Sequence, residues 1–265
     1  MFFIGPAKQR FLVGSYGCFC VGIINLWILR LMTPTISAVL ENRVSCVLDK
    51  FSTEEHRCGA IAFLRNVKPL LQNGPQCGLV ALQMAASSLG LPMIGIEQIH
   101  RLAKEKGFTN RGEMFSVEWL NELALAIWPT LQGTIRDMPT AEELSELLKN
   151  ECAVLVPYDC DKNNEPVIRN GNTAHWCIVV GYLCCDLNES ELVWSKQKPT
   201  CFDNMYVFCL HGKSRHFALW KYADLFESNA NLNEIGEKRR TDGEIYILPC
   251  EGFAALKRKC LILHL

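Results

Sequence analysis

The chain has 265 residues, 49% of them hydrophobic, and a formal net charge of −1. That length suits one large domain or two small ones around a sizeable core, and the near-neutral balance gives no electrostatic footprint for nucleic acid as a general partner. Fourteen cysteines at irregular intervals, with no Cys-x-x-Cys pair, argue against the disulfide framework of a small secreted domain and for reduced thiols in a reducing compartment.

Phe11 to Leu29 is a 19-residue stretch without a charge, preceded by Lys8 and Arg10 and followed by Arg30. Its length admits a membrane span or the apolar core of a signal peptide, and Ser37 and Ala38 would suit a cleavage site. Gly14, Ser15, Tyr16, Gly17, Gly22 and Asn25 weaken it as either. Residues 1–40 are therefore read as a variable apolar leader, and 41–265 as the working domain. A cytoplasmic protein is expected, with membrane association through residues 11–29 as the alternative.

Glu41 to Leu71 mixes charged and apolar residues and is expected to hold a helix, because Val44, Val47, Leu48 and Phe51 recur at roughly helical spacing. Asn73-Gly74-Pro75-Gln76-Cys77-Gly78 follows. Gly74 and Pro75 signal a turn, and the small and apolar run from Cys77 to Leu89 is closed by Gly90 and Pro92, as a buried helix would be. Cys77 would then stand on the first turn of a helix. Free amides and partial positive charge there favour the thiolate and can hold an oxyanion. Gly78 would leave room for a substrate backbone.

Ile96 to Ala103 is an amphipathic helix closed by Gly107, with His100 expected on its exposed side. Ser116 can cap a further helix, and Thr140-Ala141-Glu142-Glu143 is a capping box opening another, to about Lys149. The pattern then changes to strands: Ala153–Val156, His175–Tyr182, Tyr206–Leu210 and Glu244–Leu248, with Tyr222–Leu232 helical. Helices dominate the first half and strands the second, which gives an α+β fold.

A thiol nucleophile needs an oriented base. His175 opens an apolar strand behind a Gly-Asn-Thr loop, so it can project into a cleft while the strand anchors it. A Cys at a helix start with a His on a distant strand is the papain-type layout. The oxyanion donor alongside the Cys77 amide is expected from Gln72, since papain-like enzymes place a Gln a few residues before the Cys. The orienting group is open: the strand after the His strand ends Leu210-His211-Gly212, so either a His211 ring nitrogen or a backbone carbonyl can serve. No metal or cofactor is expected. Asp159-x-Asp161-x-Asn163 starts like a calcium loop, but its sixth and twelfth positions are Asn164 and Asn170 where geometry requires Gly and Glu. His211 and His216 with Cys201 or Cys209 have no zinc-ligand spacing.

Gly74-Pro75-Gln76-Cys77-Gly78-Leu79-Val80-Ala81-Leu82 resembles the nucleophile segment of the actin maturation protease family. So do Gly112-Glu113-Met114-Phe115-Ser116-Val117, Pro157-Tyr158-Asp159, Ala174-His175-Trp176, Gly212-Lys213-Ser214 and Glu227-Ser228-Asn229, in the family's order over roughly residues 65 to 250. A more distant likeness is to bacterial peptidases that trim double-glycine leaders. The resemblance implies a papain-like cysteine aminopeptidase that removes acetylated Met or Cys from the N-terminus of immature actin, with actin as its protein partner. Carried over, Cys77 is the nucleophile and His175 the general acid/base. Substrate contacts are expected at Gln76, Gly78, Asp159, Trp176 and Lys213, with Lys213 and Arg215 facing the acidic actin end. The alternatives are a membrane-tethered peptidase with another substrate and a non-catalytic actin-binding module. Members often begin with a proline-rich stretch, whereas this chain begins with an apolar one.

Overall fold

The computed structural model describes residues 37–186 and 190–265; the apolar stretch 11–29 and most of the expected leader lie outside them. α1 spans Ala38–Asp49 and is capped by Ser37, whose hydroxyl accepts the Leu40 amide. Leu40, Val44, Val47 and Leu48 bury one stripe of it, as their spacing requires. The helix expected within residues 41–71 is this one, and it ends at Asp49. Residues 59–64 form strand β1, Gly59–Leu64. An apolar run this short has no helical period to favour a helix over a strand, and pairing with a long partner strand decides the matter.

Helix α2, Cys77–Ser88, is buried on every side from Cys77 to Ala86. A helix apolar all round belongs inside a protein, and this one packs on the sheet. α3 (Ile96–Glu105) and α4 (Val117–Ile127) follow. The Ser116 hydroxyl caps α4 by accepting the Trp119 amide. His100 is half-buried rather than exposed. Next come β2 (Gln132–Asp137) and α5 (Ala141–Lys149), which opens with the expected reciprocal capping box between Thr140 and Glu143.

The remaining strands are β3 (Ala153–Asp159), β4 (Ala174–Asp186), β5 (Leu192–Trp194), β6 (Met205–Leu210), β7 (Ala218–Lys221) and β8 (Lys259–His264). α6 (Tyr222–Ala230) and α7 (Glu237–Thr241) lie between β7 and β8. The sheet runs β2-β8-β3-β4-β1-β5, with β6 pairing β4 and β7. Every pairing is antiparallel except β1 with β5. β4 is the hub: β3 pairs with Ala174–Val179, β1 with Gly181–Asp186, and β6 with the stretch between Ile178 and Cys184.

The α+β expectation holds, with the helix that begins at Cys77 packed on a largely antiparallel sheet. Helices dominate the first half, as expected, with β1 a strand among them, and β2 begins at the midpoint of the chain. The strand expected at Glu244–Leu248 is irregular backbone, and the C-terminal strand β8 takes a place in the sheet instead. Both faces of the sheet are covered. Leu155, Trp176, Ile178, Val180, Leu261 and Leu263 pack towards α2 and α4. Their alternates Val154, Val156, Cys177, Val179, Cys260 and Ile262 pack with Leu144, Leu148 and Leu225 of α5 and α6. Burial on both faces removes the polar alternation by which a strand is recognised in sequence.

Candidate active site

Cys77 is the first residue of α2, immediately after its N-cap Gln76. At this position the backbone amides of the first turn have no partner within the helix. Cys77, Gln72, His175, Trp176 and Lys213 line one cavity of about 290 Å³, together with Met114, Phe115, Glu113 and Arg239. Thus a thiol from α2 and an imidazole from β4, far apart in the chain, open onto the same space.

His175 is buried, and its Nε2 lies 2.7 Å from the carbonyl oxygen of His211. A carbonyl only accepts, so Nε2 carries the proton in this bond and Nδ1 keeps the free lone pair. Of the two orienting groups left open by the sequence, the carbonyl makes the contact. The His211 ring stands edge-on to His175 with centroids 6.1 Å apart and stacks on Trp220 at 5.8 Å, and its Nδ1 is buried without a hydrogen-bond partner among the described residues. The Tyr158 ring stands edge-on to His175 at 5.8 Å.

Electrostatics at the pair correct one expectation. The helix start was expected to favour the Cys77 thiolate, yet burial pushes this thiol up. Arg239, the backbone of Trp176 and of Gly78, and Lys213 oppose the rise without cancelling it. Burial also pulls His175 down, to about 4, against the opposing bond to the His211 carbonyl. Both shifts disfavour charge. Near neutral pH the structure holds a neutral thiol and a neutral imidazole, because loss of water outweighs the partial charge of one helix end.

Gln72 lines the cavity, and its own amide N–H donates to the Gly212 carbonyl at 2.8 Å, which ties it to the turn beyond His211. Its side-chain Nε2 donates to the Gly74 carbonyl at 2.6 Å. A primary amide has two N–H groups, so one is left for an oxyanion while the other fixes the side chain to the Gly-Pro turn.

Three of the five expected substrate contacts are placed otherwise. Gln76 is buried against Gly112 and is absent from the cavity lining. Gly78 has no free space for a substrate backbone: a Cβ there would lie 2.8 Å from Met114 Cβ and 3.2 Å from the Trp176 ring. It is glycine so that α2 can pack on Trp176, whose indole N–H donates to the Met114 carbonyl at 2.9 Å. Asp159 is fully buried rather than on a cleft rim. Its carboxylate accepts the Gly171 and Thr173 amides at 2.8 Å each, while the Thr173 hydroxyl beside it donates to the Cys160 carbonyl at 2.5 Å. It anchors the loop that delivers His175. Asp161, in the acidic stretch beyond it, accepts the Asn163 and Glu165 amides and closes a turn. Trp176 and Lys213 do line the cavity, whereas Arg215 does not.

The residue that sequence reasoning missed is Arg239. It sits in Glu237-Lys238-Arg239-Arg240, which reads as a solvated charge run, and nothing in that run singles out one arginine. In the fold its Nη2 donates to the Ala174 carbonyl at 3.3 Å, one residue before His175. Ser228 and Asn229 were noticed only as part of the family likeness. The Ser228 hydroxyl bonds both the amide and the carbonyl of Asp159 (2.9 and 2.8 Å), and the Asn229 amide donates to the Pro157 and Lys259 carbonyls (2.8 and 3.0 Å). Together they fasten α6 to β3 and β8 at the site.

Comparison with known proteins adds to this geometry. Residues 67–183 match the profile of a family described as actin maturation protease-like, C-terminal domain. The chain is 34% identical over 229 residues to the actin maturation protease of Danio rerio, covering 77% of this chain and 74% of that one. It is 33% identical over 221 residues to the actin maturation protease of Homo sapiens, covering 74% of this chain and 63% of that one. Among solved structures it is similar to the peptidase domain of Streptococcus ComA, a bi-functional ABC transporter involved in quorum sensing. That similarity is at 13% identity and a TM-score of 0.41, over 75% of this chain and 98% of that one.

Proposed function

This chain belongs to the actin maturation protease family, and from that premise we propose that it is a cysteine-type peptidase whose Cys77 and His175 remove an acetylated Met or Cys from the N-terminus of actin. The observation that carries the proposal is the shared cavity, with Cys77 at a helix start and His175 held through Nε2 by the His211 carbonyl. The cavity is at the small end for ligand pockets, which suits one capped terminal residue. An acetylated end carries no ammonium, so no carboxylate is needed to receive one. The one acidic residue lining the cavity, Glu113, is already occupied: its two oxygens accept the Asn110 and Arg111 amides at 3.2 and 2.9 Å.

The chemistry starts from the neutral pair. As Cys77 sulfur bonds to the substrate carbonyl carbon, its proton passes to His175 Nδ1. The carbonyl oxygen becomes an oxyanion, received by the Cys77 amide and the second N–H of Gln72. His175, now an imidazolium held by the His211 carbonyl, returns the proton to the departing amine as the C–N bond breaks. Water then adds to the thioester with His175 as base, releasing the acetylated amino acid and restoring the thiol. Twelve cysteines among the described residues are free thiols, which fits the reducing cytosol as the place of action.

The test is direct. The purified full chain, incubated with an acetyl-Met actin N-terminal peptide and followed by mass spectrometry, should release acetyl-Met. Cys77→Ser should leave the peptide intact. Release that persists in Cys77→Ser would assign the activity to another group.

A further inference from the structure

The mechanism above leaves two cations lining the cavity without work, Arg239 and Lys213. Arg239 reaches the site from α7, and the structure fixes it firmly. The Glu237 amide donates to Asn172 Oδ1 at 3.1 Å, and the Asn233 and Glu234 amides donate to the Asn170 carbonyl at 3.0 and 2.9 Å. Gly236 meets the same loop so closely that a Cβ would lie 2.1 Å from the Asn172 carbonyl oxygen. The loop that delivers His175 therefore also delivers Arg239. Its guanidinium carbon stands 5.5 Å from the centre of the Phe115 ring, a cation–π contact that restricts the plane of the fork. Nη2 is held by the Ala174 carbonyl.

Nη1 is different. It is shielded from solvent and has no acceptor among the described residues. Arg239 forms no ion pair among them either, nor does Lys213, the second cation lining the cavity. Glu113, which also lines the cavity, forms an ion pair with neither of them, its oxygens accepting the Asn110 and Arg111 amides instead. A buried charged donor without an acceptor is costly, and a pre-positioned one implies an anionic partner. One guanidinium nitrogen with a lysine at the rim matches a single carboxylate, for which the planar fork of arginine is suited.

We propose that Arg239 is a specificity-determining residue that receives the side-chain carboxylate of a substrate residue next to the cleaved bond, with Lys213 attracting it at the rim. This rests on the peptidase reading of the cavity, but its test separates the two. Two peptides are compared, acetyl-Met-Asp and acetyl-Met-Asn with the same continuation, on the wild-type full chain, Arg239→Gln and Arg239→Lys. In the wild type kcat/KM should favour the acidic peptide by about 10–100-fold, the range for one hydrogen bond to a charged group. Arg239→Gln should abolish that preference mainly through KM, the acidic peptide losing about 10–100-fold more than the amide peptide, and Arg239→Lys should restore part of it. An equal loss on both peptides, or a wild type that does not discriminate, overturns the proposal. The first of these outcomes would mean that Arg239 acts only on Cys77 or on folding. Calorimetric binding of both peptides to Cys77→Ala and to Cys77→Ala/Arg239→Gln reads recognition without chemistry. A preference for the acidic peptide that disappears with Arg239 supports the proposal even if no peptide is cleaved, whereas equal affinities overturn it even if cleavage occurs.

Discussion

The two sides of the cavity are built by different means. The nucleophile side is local: Gln72, the Gly74-Pro75 turn and Cys77 lie within six positions, and one side-chain bond from Gln72 to the Gly74 carbonyl ties them. The base side is assembled from afar. His175 depends on a carbonyl at 211, a carboxylate at 159, and a docked segment from 229 to 239. A local device can be read from neighbouring residues and tolerates distant change. An assembled one fails when any remote anchor is lost, and it can carry additional groups such as Arg239 to the same place.

The largest expected effect comes from removing the base itself. His175→Ala should lower kcat by roughly 10²–10⁴-fold, the usual contribution of general acid–base catalysis, with the fold retained by circular dichroism. Near-wild-type turnover would break the comparison by showing that nothing delivered to that side is needed.

Removing an anchor should have a smaller effect of a different kind. Asp159→Ala leaves the Gly171 and Thr173 amides without their acceptor, and the variant should lose about 3 kcal/mol of stability by urea titration. The loss of kcat should exceed any change in the rate at which Cys77 is alkylated, because the nucleophile side does not use this anchor. Equal damage to both would show the two sides to be one cooperative unit.

The smallest effect is a slope in pH. His175 and His211 are each pulled by burial from an ordinary 6.5 to about 4. Between those values the unfolded chain binds protons that the folded chain refuses, so stability is complete above about 6.5 and falls as pH drops to about 4. Urea midpoints measured across that range should decline in the wild type and decline less in His211→Gln. An unchanged slope in that variant would remove His211 from the account.

Much of the nucleophile side was legible in the chain. Gly74, Pro75, the small apolar run after Cys77 and the stop at Gly90 act through neighbouring backbone geometry, and α2 is where they place it. The capping box at Thr140 and the Ser116 cap were legible for the same reason. Strands β1, β2 and β8 were not, since a strand's partner lies far off in sequence and two-sided burial hides its alternation. Nor were the true positions of Gln76, Gly78 and Asp159, whose side chains or packing answer to Gly112, Trp176 and Gly171.

By itself the sequence determined which thiol begins a buried helix and which imidazole begins a buried strand, because helix starts, turns and apolar runs are properties of adjacent residues. Only the tertiary structure decided that a carbonyl orients His175, that desolvation leaves the pair uncharged, and that one arginine of a basic run enters the cavity. Those outcomes depend on what lies across a few ångströms of space, and the order of residues along a chain does not state that distance.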